Sequence, residues 1–142
     1  MSTRLGRTSP APSRSWRDGQ ELASSEGSGE AEGRAARTAA RSWGRFTRNF
    51  VVQGTAAEWA LAWMAGVRRR LWNDDGTSLT AQPHLVFFVH DELLVHSPRD
   101  RVDEVREALT AAAADAGRIV FGETPVTFPV TVAAVQRYSD AK

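Results

Sequence analysis

Apolar positions first recur at helical spacing at Ala35, Ala36, Ala39, Ala40 and Trp43, with Arg34, Arg37, Arg41, Arg45 and Arg48 interleaved. The spacing predicts a helix over about 31–47. Asn49-Phe50-Val51-Val52 interrupts the pattern. A second helix is expected from Thr55, near its N-cap, to Leu71, because Ala56, Trp59, Ala60, Trp63, Met64, Val67 and Leu71 form an i, i+3, i+4, i+7 stripe. Arg68, Arg69 and Arg70 fall in its last turns, where the helix dipole favours cations. Asn73-Asp74-Asp75-Gly76 is a stop signal.

Downstream the period changes. Leu85-Val86-Phe87-Phe88-Val89 is a short continuous apolar run, expected to be a strand buried on both faces or nearly so. Glu92-Leu93-Leu94-Val95-His96 is a second strand, so a tight turn must sit at His90-Asp91. A third helix is expected from a cap at Asp100 to about Ala116, burying Val102, Val105, Leu109, Ala112 and Ala113, with Gly117 ending it. Val126 to Val135 alternates loosely and reads as a last strand. Upstream, Pro10 and Pro12 exclude a helix over Thr8–Ser13, and the Ser/Gly/Glu tract from Ser24 to Gly33 reads as a flexible loop. Residues 1–33 are therefore expected to be poorly structured. The fold class is α+β: a small antiparallel sheet, made of the hairpin plus a C-terminal strand, packed with three helices.

Composition narrows the options. A chain of 142 residues is one domain's worth. With no cysteine, disulfide frameworks, thiolate zinc sites and thiol nucleophiles are excluded. No run approaches the length of a membrane span, and no apolar leader stands at the N-terminus; a cytoplasmic chain is the expectation. The net charge of +1 conceals a gradient: residues 1–48 carry nine Arg against five acids, and the last 52 residues carry nine acids against six bases. Much of the apolar fraction is Ala, which buries little area per residue.

Two stretches carry candidate chemistry. In Val89-His90-Asp91-Glu92, adjacent acids sit at the tip of a hairpin with apolar strands. A carboxylate held there is a good hard-metal ligand, because the sheet fixes its direction; the plainer reading is a polar turn. A two-metal site needs carboxylates from separate segments. Of the acids nearest in sequence that could serve as the partner, Asp74 and Asp75 lie in a loop and Asp100 and Asp103 at a helix start, not in an apolar strand. The second stretch places Arg45, Asn49 and Gln53 every four residues, on one face of any helix that continues through it. Those side chains can reach minor-groove acceptors, whose pattern is nearly sequence-independent; an ordinary solvated face is the alternative. His84 and His96 flank the hairpin and read as structural, Trp59 and Trp63 as core rather than a base-stacking platform, and Arg68-Arg69-Arg70 as a solvated helix end, with a phosphate clamp as the alternative. There is no P-loop, dinucleotide glycine motif or serine elbow.

Together, Val89-His90-Asp91-Glu92-Leu93 and Gln53-Gly54-Thr55-Ala56-Ala57-Glu58 resemble two motifs near the C-terminal end of family A DNA polymerases, the bacterial DNA polymerase I type, in the family's order and spacing. The first is similar to the palm hairpin motif C, the second to the QGTAAD-type helix before it, with Glu58 in place of the usual Asp. Leu5-Gly6-Arg7-Thr8-Ser9-Pro10 resembles a short Gly-Arg segment upstream. The resemblance covers about residues 4–142 and implies that 34–142 is the C-terminal part of a polymerase palm. It implies DNA-directed DNA synthesis by a two-Mg²⁺ mechanism, in replication or repair, on primer–template DNA and a dNTP. Asp91 and Glu92 would be metal-site residues and catalytic, with His90 beside the primer terminus. Arg45, Asn49 and Gln53 would contact the duplex.

The family's other essential Asp, in a DYS-type strand, and its nucleotide-binding fingers helix are absent from the sequence. Only half of the two-metal site is encoded, Met1 is expected to begin inside a polymerase domain, and the isolated chain is expected to be inactive without the upstream part of the polymerase. The alternatives are a non-catalytic DNA-binding or interaction remnant and, with less in its favour, a small metal nuclease using His90-Asp91-Glu92.

Overall fold

The computed structural model describes residues 1–72 and 81–141. The expected stop at Asn73-Asp74-Asp75-Gly76, with its two acids, and the single lysine, Lys142, lie outside the described residues. The chain divides into two units, Met1–Ala56 and Ala57–Lys142.

The first unit departs from the sequence expectation in two ways. Helix α1 occupies Arg14–Ser24, within the stretch expected to be poorly structured. Ser13 caps it by accepting a hydrogen bond from the Trp16 amide at 3.2 Å. Ahead of it, Ser2 bridges Thr8 and the Thr3 amide donates to Arg7 O at 2.8 Å, closing a turn at Gly6 (φ 90°). Helix α2 is one element, Glu30–Leu71, and not two; Thr55 is internal to it and caps nothing. Asn, Phe and Val cost at most about 0.7 kcal/mol each in a helix, too little to break one that tertiary contacts hold. The overlooked signal is aromatic. Trp43, Phe46 and Phe50 stand at helical spacing, with ring centroids 5.2 and 6.4 Å apart, and Trp16 of α1 meets Trp43 at 6.1 Å.

In the second unit, α3 spans Val102–Phe121 and packs its small face against the end of α2. Trp63, Val67, Leu71, Val105, Leu109 and Ala112 are buried there. Gly66 lets the helices close up: a Cβ on it would lie 3.0 Å from that of Ala112. Trp63 Nε1 donates to Leu109 O at 2.9 Å, satisfying the one polar atom of this large buried side chain. Asp115 pairs with both Arg70 and Arg118.

Both ends of α3 differ from expectation. A 3-10 turn at Arg99–Arg101 precedes it, Asp100 makes no capping bond, and Val102 is only partly buried. The helix passes through the buried Gly117 and stops at Gly122, whose φ of 67° suits glycine.

Strands β1, His84–Val89, and β2, Glu92–His96, form an antiparallel hairpin. Leu85, Leu93 and Val95 lean on the core, but Val86, Phe87 and Phe88 are exposed, so β1 is not buried on both faces. The pairing slips between Leu85 and Phe87, a bulge that turns the strand's apolar run outward.

The C-terminal strand does not form: among the described residues the sheet has two strands. Pro125 and Pro129 lack the N–H that a ladder needs. The segment packs by side chains instead. Phe128 stacks on Phe121 at 4.8 Å, Val130 and Val132 lie on the core, and Arg106 donates to Val132 O at 3.0 Å. The fold is α+β: three helices and a two-stranded antiparallel hairpin.

Candidate functional site

Val89 pairs with Glu92, so His90 and Asp91 are the two central residues of the turn. His90 has φ 53° and Asp91 does not share the positive φ, the φ pattern of a type II′ turn, whose first central position favours glycine. A β-carbon-bearing residue held there is strained, a condition that accumulates at functional positions. His90, Asp91 and Glu92 are all exposed.

Asp91 and Glu92 line a cleft of about 590 Å³ whose other walls include Trp63, Leu109, Val130 and Tyr138. The tip carboxylates thus stand at the edge of a largely apolar groove between β2, α3 and the C-terminal segment. Tyr138, in a 3-10 turn at Tyr138–Asp140, donates its hydroxyl to Glu92 Oε2 at 2.7 Å. That bond, and then the charge of Glu92, raise the Tyr138 pKa above its ordinary value of 10.0. Sequence reasoning missed Tyr138. It lies 46 positions from Glu92 in a segment without periodicity, and its only mark is being the sole tyrosine.

The donor chemistry at the tip suits a hard divalent cation in part. Mg²⁺ is commonly held by one or two carboxylates, with water and substrate phosphates completing its shell. Asp91 and Glu92 can supply such a pair. Among the described residues no group of three or more His, Asp or Glu side chains could hold a metal ion, so the two tip carboxylates are not part of a closed cage. His84 and His96 pair at the open end of the hairpin with rings 5.3 Å apart, and His84 Nδ1 lies 2.8 Å from Gln82 O; both belong to the hairpin's construction.

Arg45, Asn49 and Gln53 lie on α2 within the first unit, all exposed. Because the helix is unbroken there, the four-residue spacing places them along one face, over about 12 Å at 1.5 Å per residue. Arg45 Nη2 donates to Ser42 Oγ at 3.0 Å. The tip residues and the helix-face residues belong to different units. Gly54, next to Gln53, is where the N-terminal turn meets α2: a Cβ there would lie 2.6 Å from Thr3 Cγ2, and the Arg4 amide donates to Thr55 Oγ1 at 3.4 Å.

Compared with protein-family models, curated proteins and solved structures, the chain matches none. No described helix is long and apolar enough to cross a membrane.

Proposed function

We propose that these residues form the C-terminal part of the palm of a DNA-directed DNA polymerase of family A. The observation that carries this reading is the Val89-His90-Asp91-Glu92 turn, with Asp91 on a tight two-residue bend, Glu92 at the strand end beside it, and both carboxylates exposed at the edge of a cleft. The reaction is template-directed nucleotidyl transfer. The primer 3′-hydroxyl oxygen bonds to the α-phosphorus of a dNTP, the bond to the bridging oxygen breaks, pyrophosphate leaves and the hydroxyl proton is released. Asp91 and Glu92 would hold Mg²⁺ from one side, and the ions when bound supply charge stabilisation at the attacking and leaving oxygens. Tyr138 orients the Glu92 carboxylate through its hydroxyl. Arg45, Asn49 and Gln53 hold primer–template DNA. A second carboxylate segment must come from outside these residues, so the purified chain gives no primer extension with dNTPs and Mg²⁺.

Fe²⁺ in place of Mg²⁺ tests the reading directly. With hydrogen peroxide as oxidant and ascorbate to return Fe³⁺ to Fe²⁺, hydroxyl radicals formed at the tip should cut an end-labelled primer–template within a few nucleotides of the primer 3′ end, and Asp91→Asn should abolish the focused cutting. Cutting that is scattered, or unchanged in Asp91→Asn, overturns the proposal.

One observation favours a non-catalytic DNA-binding role instead: among the described residues no third metal-ligating side chain joins Asp91 and Glu92. Under that reading duplex affinity falls on Arg45→Ala and with salt, and Asp91→Asn changes nothing with or without metal.

A further inference from the structure

Arg34, Arg37, Arg41, Arg45 and Arg48 are separated by three, four, four and three residues, and all lie on the unbroken helix α2. At 3.6 residues per turn they fall within an arc of about 80°, and the row is about 21 Å long. All five are exposed. From Gly33 to Ala57 the sequence holds no Asp or Glu. Arg34 pairs with Glu30 at 3.2 Å, an exposed contact of the kind that contributes little. Among the described residues no carboxylate pairs with Arg37, Arg41, Arg45 or Arg48. The opposite side of α2 is occupied. Trp43 meets Trp16 of α1, and Gln20 Nε2 donates to Ala36 O at 2.9 Å. Helix α1 therefore meets α2 at Ala36 and Trp43, on the side away from the arginine row, while Phe46 stays exposed.

We infer that this row is a rail for the phosphodiester backbone of duplex DNA, extending the contact of Arg45, Asn49 and Gln53 by three turns of helix toward the start of α2. The inference rests on the DNA-binding reading above and deepens it. Uncompensated like charges at such spacing repel one another, and a polyanion removes that repulsion. Guanidinium groups pair with phosphate in two parallel hydrogen bonds, and a duplex strand presents a phosphate for about every 3.4 Å of axis, so the row spans about six of them.

The experiment measures anisotropy of the full chain on a labelled blunt duplex of about 24 base pairs, between about 50 and 200 mM NaCl. Replacing Arg34, Arg37 and Arg41 together by Gln should flatten the slope of log K against log salt by about 2.7, at about 0.9 for each phosphate no longer neutralised. The matching triple Lys variant should keep the wild-type slope. Circular dichroism reports helix content, and if the triple Gln variant loses helix, Arg37→Gln and Arg41→Gln singly should each flatten the slope by about 0.9. A Gln variant that keeps the wild-type slope overturns the inference. So does a wild-type chain that does not bind the duplex, or one from which polyglutamate of equal charge displaces DNA as well as competing duplex does. Focused Fe²⁺ cutting at the primer end with an unchanged slope would sink the rail alone. A flattened slope without focused cutting would sink the polymerase reading alone.

Discussion

Tyr138 Oη donates to Glu92 Oε2 at 2.7 Å, tying the C-terminal segment to the tip of the hairpin. The bond removes rotational freedom from one of the two tip carboxylates. It also makes the phenol a reporter of the charge on Glu92, because the chain has no other tyrosine.

Phenolate absorbance should therefore rise with a midpoint above 10.0 in the wild type, since the hydrogen bond to Glu92 and its charge both oppose ionisation. In Glu92→Gln the midpoint should move back toward 10.0. A folded-state value raised above the unfolded one means that the bond's contribution to stability is complete below about 10 and is lost as pH rises through the raised value. Urea melts at neutral and alkaline pH should show the wild type losing its advantage over Tyr138→Phe in that window.

His90→Gly should leave the hairpin as stable or more stable. The left-handed backbone at φ 53° costs a β-carbon-bearing residue about 1–2 kcal/mol. Glycine relieves this and loses about 0.5–1 kcal/mol through its freer unfolded chain. A gain of up to about 1.5 kcal/mol should appear as a higher urea midpoint with unchanged slope. A loss larger than that would show that the imidazole itself makes a stabilising contact at the tip.

Asp115 joins Arg70 on α2 to Arg118 on α3, and the Arg70 hydrogen bond holds its pKa below 3.8. A depressed value makes the stabilisation complete above the unfolded value and lost as pH falls from there through the folded one. Asp115→Asn should lower the melting temperature at pH 7, and the gap to wild type should close in acid. A gap that persists at pH 2 would mean that packing, rather than charge, is what the substitution removes.

Gly54→Ala sets two local effects against each other. Alanine in a helix interior gains up to about 1 kcal/mol over glycine, but its methyl would need the place of Thr3 Cγ2. Thr3 is buried, and its hydroxyl accepts from the Arg7 amide at 3.0 Å. The expected outcome is near-constant global stability with the N-terminal turn released. Trypsin should then cut after Arg4 and Arg7 faster than in wild type. Unchanged nicking would show that Thr3 rotates away without freeing the turn.

The hairpin, its turn at His90-Asp91 and the apolar spacing of α3 were legible in the sequence, because each depends on neighbours within a few residues. The same holds for the candidate site as a pair of adjacent acids at a bend, and for the four-residue spacing of Arg45, Asn49 and Gln53. Whether that spacing means one face depends on α2 being continuous, and local propensity alone argued for a break at Asn49–Val52. Packing of Trp16, Trp43, Phe46 and Phe50 outweighs those small penalties.

The residues themselves determined an α+β chain, a tight acidic bend and a basic helical stretch, since backbone sterics and hydrophobic period are local properties. Tertiary structure alone decided that the expected last strand lies against α3 by its side chains, that Tyr138 reaches Glu92, and that α1 meets α2 at Ala36 and Trp43 and leaves the arginines outward. Those outcomes join positions 16 to 46 residues apart. They turn on which surfaces bury most area together, a quantity that no single stretch of sequence contains.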